Sequence, residues 1–306
     1  MELTKGQVAV VTGGASGIGL ALAERFAGAG LNLVIGDVQP DALATATTQL
    51  QARGVEVLPV QLDVSKEADV QGLAQQTIDH FGAVHVVCNN AGVAARADPW
   101  FGPISSWEWV MGVNFWGVVH GCRAFLPHLA AGGGHIVNTA SIAGLFPGFG
   151  PSYDASKHAV VAISEQLYNT VRGAGLPIGV SVLCPGWVRT NIFEADRNWP
   201  AELGAKPDDD VAMTAIAGHY ERALAEGRTP ASVADAVADA VLADRFWVIP
   251  HQDFLDICIE RWATIAERAD PQPPEDVPGM PPRSQILAEV AAALGLDAPA
   301  SAPASP

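Results

Sequence analysis

QVAVVTGGASGIGLALAERF, residues 7–26, changes character twice. It opens on QVAVVT (7–12), a β-branched apolar run without polar alternation, as expected of a strand buried on both faces. A glycine-rich turn, TGGASGIG (12–19), follows at once. Leu20, Leu22, Ala23 and Phe26 then continue at helical spacing. Glycines let a backbone turn tightly and approach a ligand closely, and a helix N-terminus offers free N–H groups and positive dipole to a pyrophosphate. A glycine turn alone says little. Set between a strand and a helix, it reads as the head of a dinucleotide-binding βαβ unit, with Gly13, Ser16, Gly17, Ile18 and Gly19 as the phosphate cradle.

The same strand–helix rhythm continues outward. LNLVIG (31–36), VEVLPVQ (55–61), VHVVCN (84–89), GHIVNTA (134–140), IGVSVLC (178–184) and FWVI (246–249) read as further strands. Helical stretches cover 17–28, 40–53, 66–81, 106–130 and 152–173 between them. This alternation predicts an α/β fold, a doubly wound parallel sheet of about seven strands flanked by helices. Residues 1–270 form one catalytic domain in this reading. Residues 187–230 break the rhythm with Trp187, Phe193, Trp199, Met213 and Tyr220, as a lid over a site would. HQDFLDICIERWATIAERA (251–269) reads as an amphipathic helix that closes over the pocket or packs on a partner subunit. Prolines crowd 271–306, an extended C-terminal tail carrying one short helix, SQILAEVAAAL (284–294), that docks on the body or on a neighbouring subunit.

Composition narrows the function classes. The 306 residues carry a net charge of −16 and are 49% hydrophobic. The acidic balance argues against nucleic acid and anionic membrane as partners. No apolar run is long enough to span a bilayer, and no signal peptide opens the chain, so a cytoplasmic location is expected. Cys88, Cys122, Cys184 and Cys258 lack metal-ligand or disulfide spacing, as do the histidines, and no metal site is expected.

At the end of the second strand Asp37 is placed to accept hydrogen bonds from an adenosine ribose, and its charge would repel a 2′-phosphate. Val38 follows it, with no cation in the turn, which favours NAD(H) over NADP(H). Asp37 has a second reading as a cap for the helix at 40. Asp63 and Val64 end the third strand, and Asn90, Ala91 and Gly92 of NNAG (89–92) end the fourth, where ligand crevices open in such sheets. Ser141 precedes Tyr153 and Lys157, which lie one helical turn apart on one face. A lysine ammonium beside a phenol, helped by an oxidised nicotinamide, would bring a tyrosine pKa of about 10 down toward neutrality.

Taken in order, TGGASGIG (12–19), NNAG (89–92), VNFWG (113–117), Ser141, YDASK (153–157) and PGWVRT (185–190) resemble the short-chain dehydrogenases/reductases of the compact, single-domain type, with a Rossmann-type fold. The resemblance implies that Tyr153 is the general acid–base, that Lys157 also holds the nicotinamide ribose, and that Ser141 hydrogen-bonds the reacting oxygen. It implies that Asn114 anchors a proton-relay water at a helix irregularity. Pro185, Gly186, Val188 and Thr190 would then hold the nicotinamide. It also implies a homodimer or homotetramer paired through helices 106–130 and 152–173.

The expected substrate is a hydrophobic secondary alcohol or ketone, aryl or polycyclic, against Ala143, Leu145, Phe149, Trp187 and Phe193, with Ile142, Trp199, Trp100 and Phe101 as further candidates. Two other outcomes stay open: a hydroxysteroid-type or enoyl reductase with one narrow substrate, and a non-catalytic NAD-binding sensor.

Overall fold

The computed structural model describes residues 1–296. The outermost part of the predicted tail, 297–306, lies outside the described residues. Apolar β-branched runs form β1 (Val8–Thr12), β2 (Asn32–Asp37), β3 (Val57–Gln61), β4 (Val86–Asn89), β5 (Gly134–Thr139), β6 (Ile178–Leu183) and β7 (Trp247–Val248). They build one parallel seven-stranded sheet in the order β3-β2-β1-β4-β5-β6-β7. β1 is central, and Val10 pairs with Val34 on one side and Val87 on the other. The chain reverses direction of winding between β1 and β4, which opens a crevice at their C-terminal ends.

The helices that cross between strands are α1 (Gly17–Gly28), α2 (Pro40–Gln51), α3 (Glu67–Phe81), α4 (Ser105–Met111), α5 (Gly117–Gly132), α6 (Pro151–Gly173), α7 (Val211–Glu226), α8 (Pro230–Ala243), α9 (Leu255–Glu267) and α10 (Arg283–Ala293). α1, α2 and α8 cover one face of the sheet, with Phe26, Leu22, Leu50, Val237 and Val241 in that core. α3, α5 and the end of α6 cover the other, with Leu73, Phe125, Leu129 and Val171. Two faces of fully buried aliphatics explain why the strands show no polar alternation.

Three local features place the site. α4 and α5 form one continuous rod interrupted by a π-helical turn, Gly112–Trp116, where Gly117 N–H reaches back to the Gly112 carbonyl. A π-turn inserts one extra residue and rotates the helix face, and this one carries Asn114. α6 starts at Pro151, a residue suited to a first helical position because it has no N–H to satisfy. The segment expected as a lid is partly regular: two 3₁₀ turns (Ile192–Asn198 and Ala201–Leu203) lead into α7, whose Asp210 carboxylate caps Met213 N–H.

The C-terminal extension is less detached than its prolines suggest. The Trp187 indole donates to the Pro278 carbonyl at 2.6 Å, and His219 of α7 pairs with Glu289 of α10 at 2.6 Å. α10 therefore docks on α7 of its own chain. Among the described residues no helix is long and apolar enough to cross a membrane.

Candidate active site

A single cavity of about 820 Å³ lies along the C-terminal ends of the strands. One end of it is built by the glycine turn. Gly17 takes φ +53°, the left-handed region that glycine tolerates, and opens α1 within 3.1 Å of the Thr190 methyl as measured from an added Cβ. At Gly19 an added Cβ would overlap the Gly13 carbonyl and lie 2.6 Å from Asn90 Nδ2. Thr12 ties this turn to the end of β4: its hydroxyl accepts from Asn90 N–H (3.0 Å) and Ala91 N–H (3.2 Å), and its carbonyl accepts from Asn90 Nδ2 (3.1 Å).

Asp37 accepts from Ala15 N–H and from Gln39 N–H, both at 3.1 Å. It caps the glycine turn and the turn beyond β2; the N-cap position of α2 falls to Gln39. Asp63 accepts from the Ser65 amide and hydroxyl and lies 3.6 Å from Lys66, whose ammonium also reaches Glu202 at 2.8 Å. The 3₁₀ turns after β6 and the loops after β2 and β3 thus meet over this end of the cavity, where the Gln39 amide also donates to Asn198 at 2.6 Å.

At the other end, α6 brings Tyr153 and Lys157 onto one face, with the Lys157 ammonium 5.5 Å from the Tyr153 ring centre. Lys157 is 3% exposed and donates to the Thr139 carbonyl at 3.1 Å. Burial pushes this lysine down to about 8. The lowering expected for Tyr153 is not produced by the protein's own groups. Burial pushes the phenol up to about 12, and the Ser141 hydroxyl pulls it back only in part. Desolvation of the phenolate is the larger influence, and the Asp154 carboxylate adds to it. Tyr153 is half-buried, open toward the cavity.

Ser141 follows β5 and caps the 3₁₀ turn Ile142–Gly144: its hydroxyl accepts from Ala143 N–H at 3.1 Å and donates to the Pro185 carbonyl at 3.3 Å. Asn114 is fully buried; its amide pairs with both backbone groups of Val93 (2.8 and 3.0 Å) and donates to Ser156 at 3.1 Å. It stands behind the wall rather than on it.

Gly13, Ser16, Gly17, Ile18, Asp37, Val38, Asp63, Val64, Asn90, Ala91, Gly92, Ser141, Tyr153, Lys157, Pro185, Gly186, Val188 and Thr190 all border the one cavity, with Ile142, Phe149, Trp187, Phe193 and Trp199. Gly19 packs behind the turn. Four expectations fail. Ala143 is fully buried because the turn capped by Ser141 points it inward. Leu145 packs beneath the wall beside Phe254 and Val118, with its carbonyl accepting from Arg261. Trp100 (71% exposed) and Phe101 (95%) stand out in solvent.

The sequence reading missed the parts that hold the wall. His251 accepts from Gly186 N–H (3.0 Å) and donates to the Trp187 carbonyl (2.8 Å), so its proton sits on Nε2. Burial keeps it neutral by lowering its pKa. Trp109, Arg197, Asn198 and Tyr220 also border the cavity. For Arg197, Asn198 and Tyr220 only their aromatic or polar character within 187–230 hinted at it; Trp109 lies in α4 and gave no signal.

A cavity of this size joins a strand–glycine-turn–helix cradle, with no room for side chains at Gly19, to a Ser–Tyr–Lys cluster. Residues 7–201 match the family model for short chain dehydrogenases. The chain belongs to the short chain dehydrogenase family. The family's members resemble it over most of its length. A 1-deoxy-11-beta-hydroxypentalenate dehydrogenase from Streptomyces exfoliatus is 41% identical over 227 residues, 72% of this chain and 81% of that protein. The CLA biosynthesis dehydrogenase/reductase of Lactiplantibacillus plantarum is 32% identical over 89% of this chain and 97% of that protein. Among solved structures, a short chain dehydrogenase/reductase from Burkholderia phymatum in complex with NAD superposes with a TM-score of 0.87 at 40% identity, covering 90% of this chain and 100% of that one. The short chain dehydrogenase fold and its oxidoreductase class are therefore those of this protein.

Proposed function

We propose that this short chain dehydrogenase interconverts a hydrophobic secondary alcohol and its ketone with NAD(H), Tyr153 acting as general acid–base. The observation that carries the reading is the single cavity that joins the glycine turn and Asp37 to Ser141, Tyr153 and Lys157 and then to an aromatic wall. The residues fit a dinucleotide: the turn excludes side chains where a pyrophosphate would lie, and Asp37 offers a carboxylate to a ribose diol. Gly13, Ser16, Gly17 and Ile18 would hold the phosphates, and Asp37 and Val38 the adenosine ribose. Asp63 and Val64 would flank the adenine. Asn90, Ala91, Gly92, Lys157, Pro185, Gly186, Val188 and Thr190 would hold the nicotinamide half. The NAD complex of the Burkholderia relative supports NAD over NADP, as does the absence of a cation at Val38.

When bound, the nicotinamide supplies or accepts the hydride. In reduction, Tyr153 gives its proton to the carbonyl oxygen while Ser141 donates a hydrogen bond where negative charge develops. In oxidation, Tyr153 takes the hydroxyl proton, and the Lys157 ammonium stabilises the phenolate. The phenol's high intrinsic pKa makes that stabilisation necessary. Asn114 keeps the Val93 loop and the π-turn in place behind the pair. Phe149, Trp187 and Phe193 favour an aryl or polycyclic body over a polyol.

The test follows NADH consumption by absorbance against bulky aryl or polycyclic ketones and small polar ketones, with Tyr153→Phe alongside. Turnover confined to the bulky set, reduced about 10³-fold in the variant while NADH still binds, is expected. Turnover that survives Tyr153→Phe, or that is confined to the polar set, overturns the reading. NADH binding without turnover of either set points to a sensor.

A further inference from the structure

The substrate-side wall is aromatic and almost wholly apolar: Phe149, Trp187 and Phe193 border the cavity there, Phe149 and Trp187 meeting edge-on at 5.4 Å. Tyr220, from α7, interrupts it. Its ring meets Trp187 edge-on at 5.6 Å and Phe193 at 5.1 Å, and the residue is 7% exposed.

The Tyr220 hydroxyl has no hydrogen-bond partner among the described residues. Buried phenols normally find one, because the O–H loses water on folding and must replace it. The polar atoms that are both sealed and unpartnered are Asn89 Oδ1, Arg96 Nε, Ser106 Oγ, His158 Nε2 and His219 Nδ1. The Tyr220 oxygen is not one of them, so it keeps access to open space, and the space this residue borders is the cavity. A phenol that is 7% exposed thus carries an unpaired, unsealed hydroxyl on a residue that borders the cavity beside Phe193 and Trp187.

Burial, with the Asp154 carboxylate adding to it, pushes this phenol up to about 12. Tyr220 therefore remains a neutral donor and does not exchange protons with a substrate near neutral pH. The same Asp154 charge disfavours an anionic group beside the hydroxyl. What suits the position is a neutral oxygen.

We propose that Tyr220 is a specificity-determining residue whose hydroxyl donates a hydrogen bond to a second, neutral oxygen of the substrate, separated from the reacting carbonyl by an apolar body. The substrate class is then a dioxygenated hydrophobic skeleton, a diketone or keto-alcohol, rather than a simple hydrocarbon ketone. This rests on the ketone-reductase reading above. A site built to pair with a substrate oxygen penalises the analogue that lacks it, because the protein's own polar group is left unpaired.

The experiment compares a bicyclic monoketone with a set of diketones of the same skeleton that differ in where the second carbonyl sits. Wild type and Tyr220→Phe are assayed with NADH, and NADH affinity is measured separately by fluorescence. Phenylalanine keeps the ring and its packing, and unchanged NADH affinity reports an intact fold. The wild type is expected to prefer at least one diketone by about tenfold in kcat/KM. The variant should bring that diketone to the monoketone's level, chiefly through KM. The assignment is overturned if the wild type shows no diketone preference, if the variant keeps it, or if both substrates fall together. It is also overturned if the variant loses NADH affinity, which would place Tyr220 with the cofactor. Turnover of neither skeleton by the wild type overturns the reductase reading itself, whereas monoketone turnover without Tyr220-dependent discrimination overturns only this one.

Discussion

Replacing Lys157 with methionine should make the protein without dinucleotide more stable while abolishing its activity. Lys157 is 3% exposed, and burial takes its pKa from 10.5, the value of a free lysine, to about 8. At 1.36 kcal/mol per pH unit, holding the ammonium inside the fold costs about 3 kcal/mol at pH 7. Methionine fills a similar volume without a charge. It forfeits the bond to the Thr139 carbonyl, about 1–2 kcal/mol. A net gain of about 1–2 kcal/mol remains, or roughly 2–4 °C in Tm for a chain of this length. The pH dependence is the sharper signature. Below pH 8 the lysine is charged in both states and the cost is complete. Between 8 and 10.5 the folded protein gives up the proton and the unfolded chain keeps it, so wild-type stability rises with pH. The variant lacks that rise, so its advantage is largest at pH 7 and shrinks toward pH 10. Urea unfolding followed by tryptophan fluorescence at pH 7, 8.5 and 9.5, without dinucleotide, measures both. A variant less stable than wild type at pH 7, or a difference constant over this range, would refute the claim that the site stores a desolvated charge.

Two further perturbations probe the dinucleotide end. Gly19→Ala drives a methyl into the Gly13 carbonyl and against Asn90; isothermal titration should show NADH affinity lowered more than about tenfold, with about 1–3 kcal/mol lost from folding, and an unchanged affinity would mean that the turn relaxes freely. Asp37→Asn removes the charge and leaves one acceptor oxygen for the two N–H groups, Ala15 and Gln39, that the carboxylate serves with separate oxygens. The NADPH-to-NADH ratio of kcat/KM should then rise at least about tenfold, as loss of one nearby repulsion implies, and a static ratio assigns cofactor choice to other residues.

The sheet was readable because each strand is a mostly β-branched apolar run, with few polar interruptions such as Asn138 and Ser181, and helical stretches separate the runs. α8 was passed over although Val233, Val237 and Val241 recur at four-residue spacing and are all fully buried. The alanines between them blur the contrast between faces. The glycine turn and the Tyr153–Lys157 pair were legible since local spacing alone determines them. The substrate wall was not. Whether Ala143 faces the cavity depends on one 3₁₀ turn capped by Ser141, and Tyr220 reaches the wall only because α7 folds back over the crevice. The burial of Tyr153 was not legible for a related reason: spacing reveals a neighbouring lysine, but burial, which raises the phenol's pKa in the protein alone, is a property of the whole fold.

The brace on the substrate wall also sets an order of assembly during synthesis. The glycine turn, Asp37, Asp63 and Asn90 to Gly92 all precede β6, and strands β1 to β6 are complete by Leu183. Trp187 waits for His251, and its indole partner Pro278 lies 91 residues further along the chain. At translation rates of 5–20 residues per second, that interval lasts on the order of 5–20 s. Until that interval closes, the nascent chain holds the glycine turn and β1 to β6 while Trp187 still lacks Pro278, so the rings of the cavity are braced only after its glycine turn has been made.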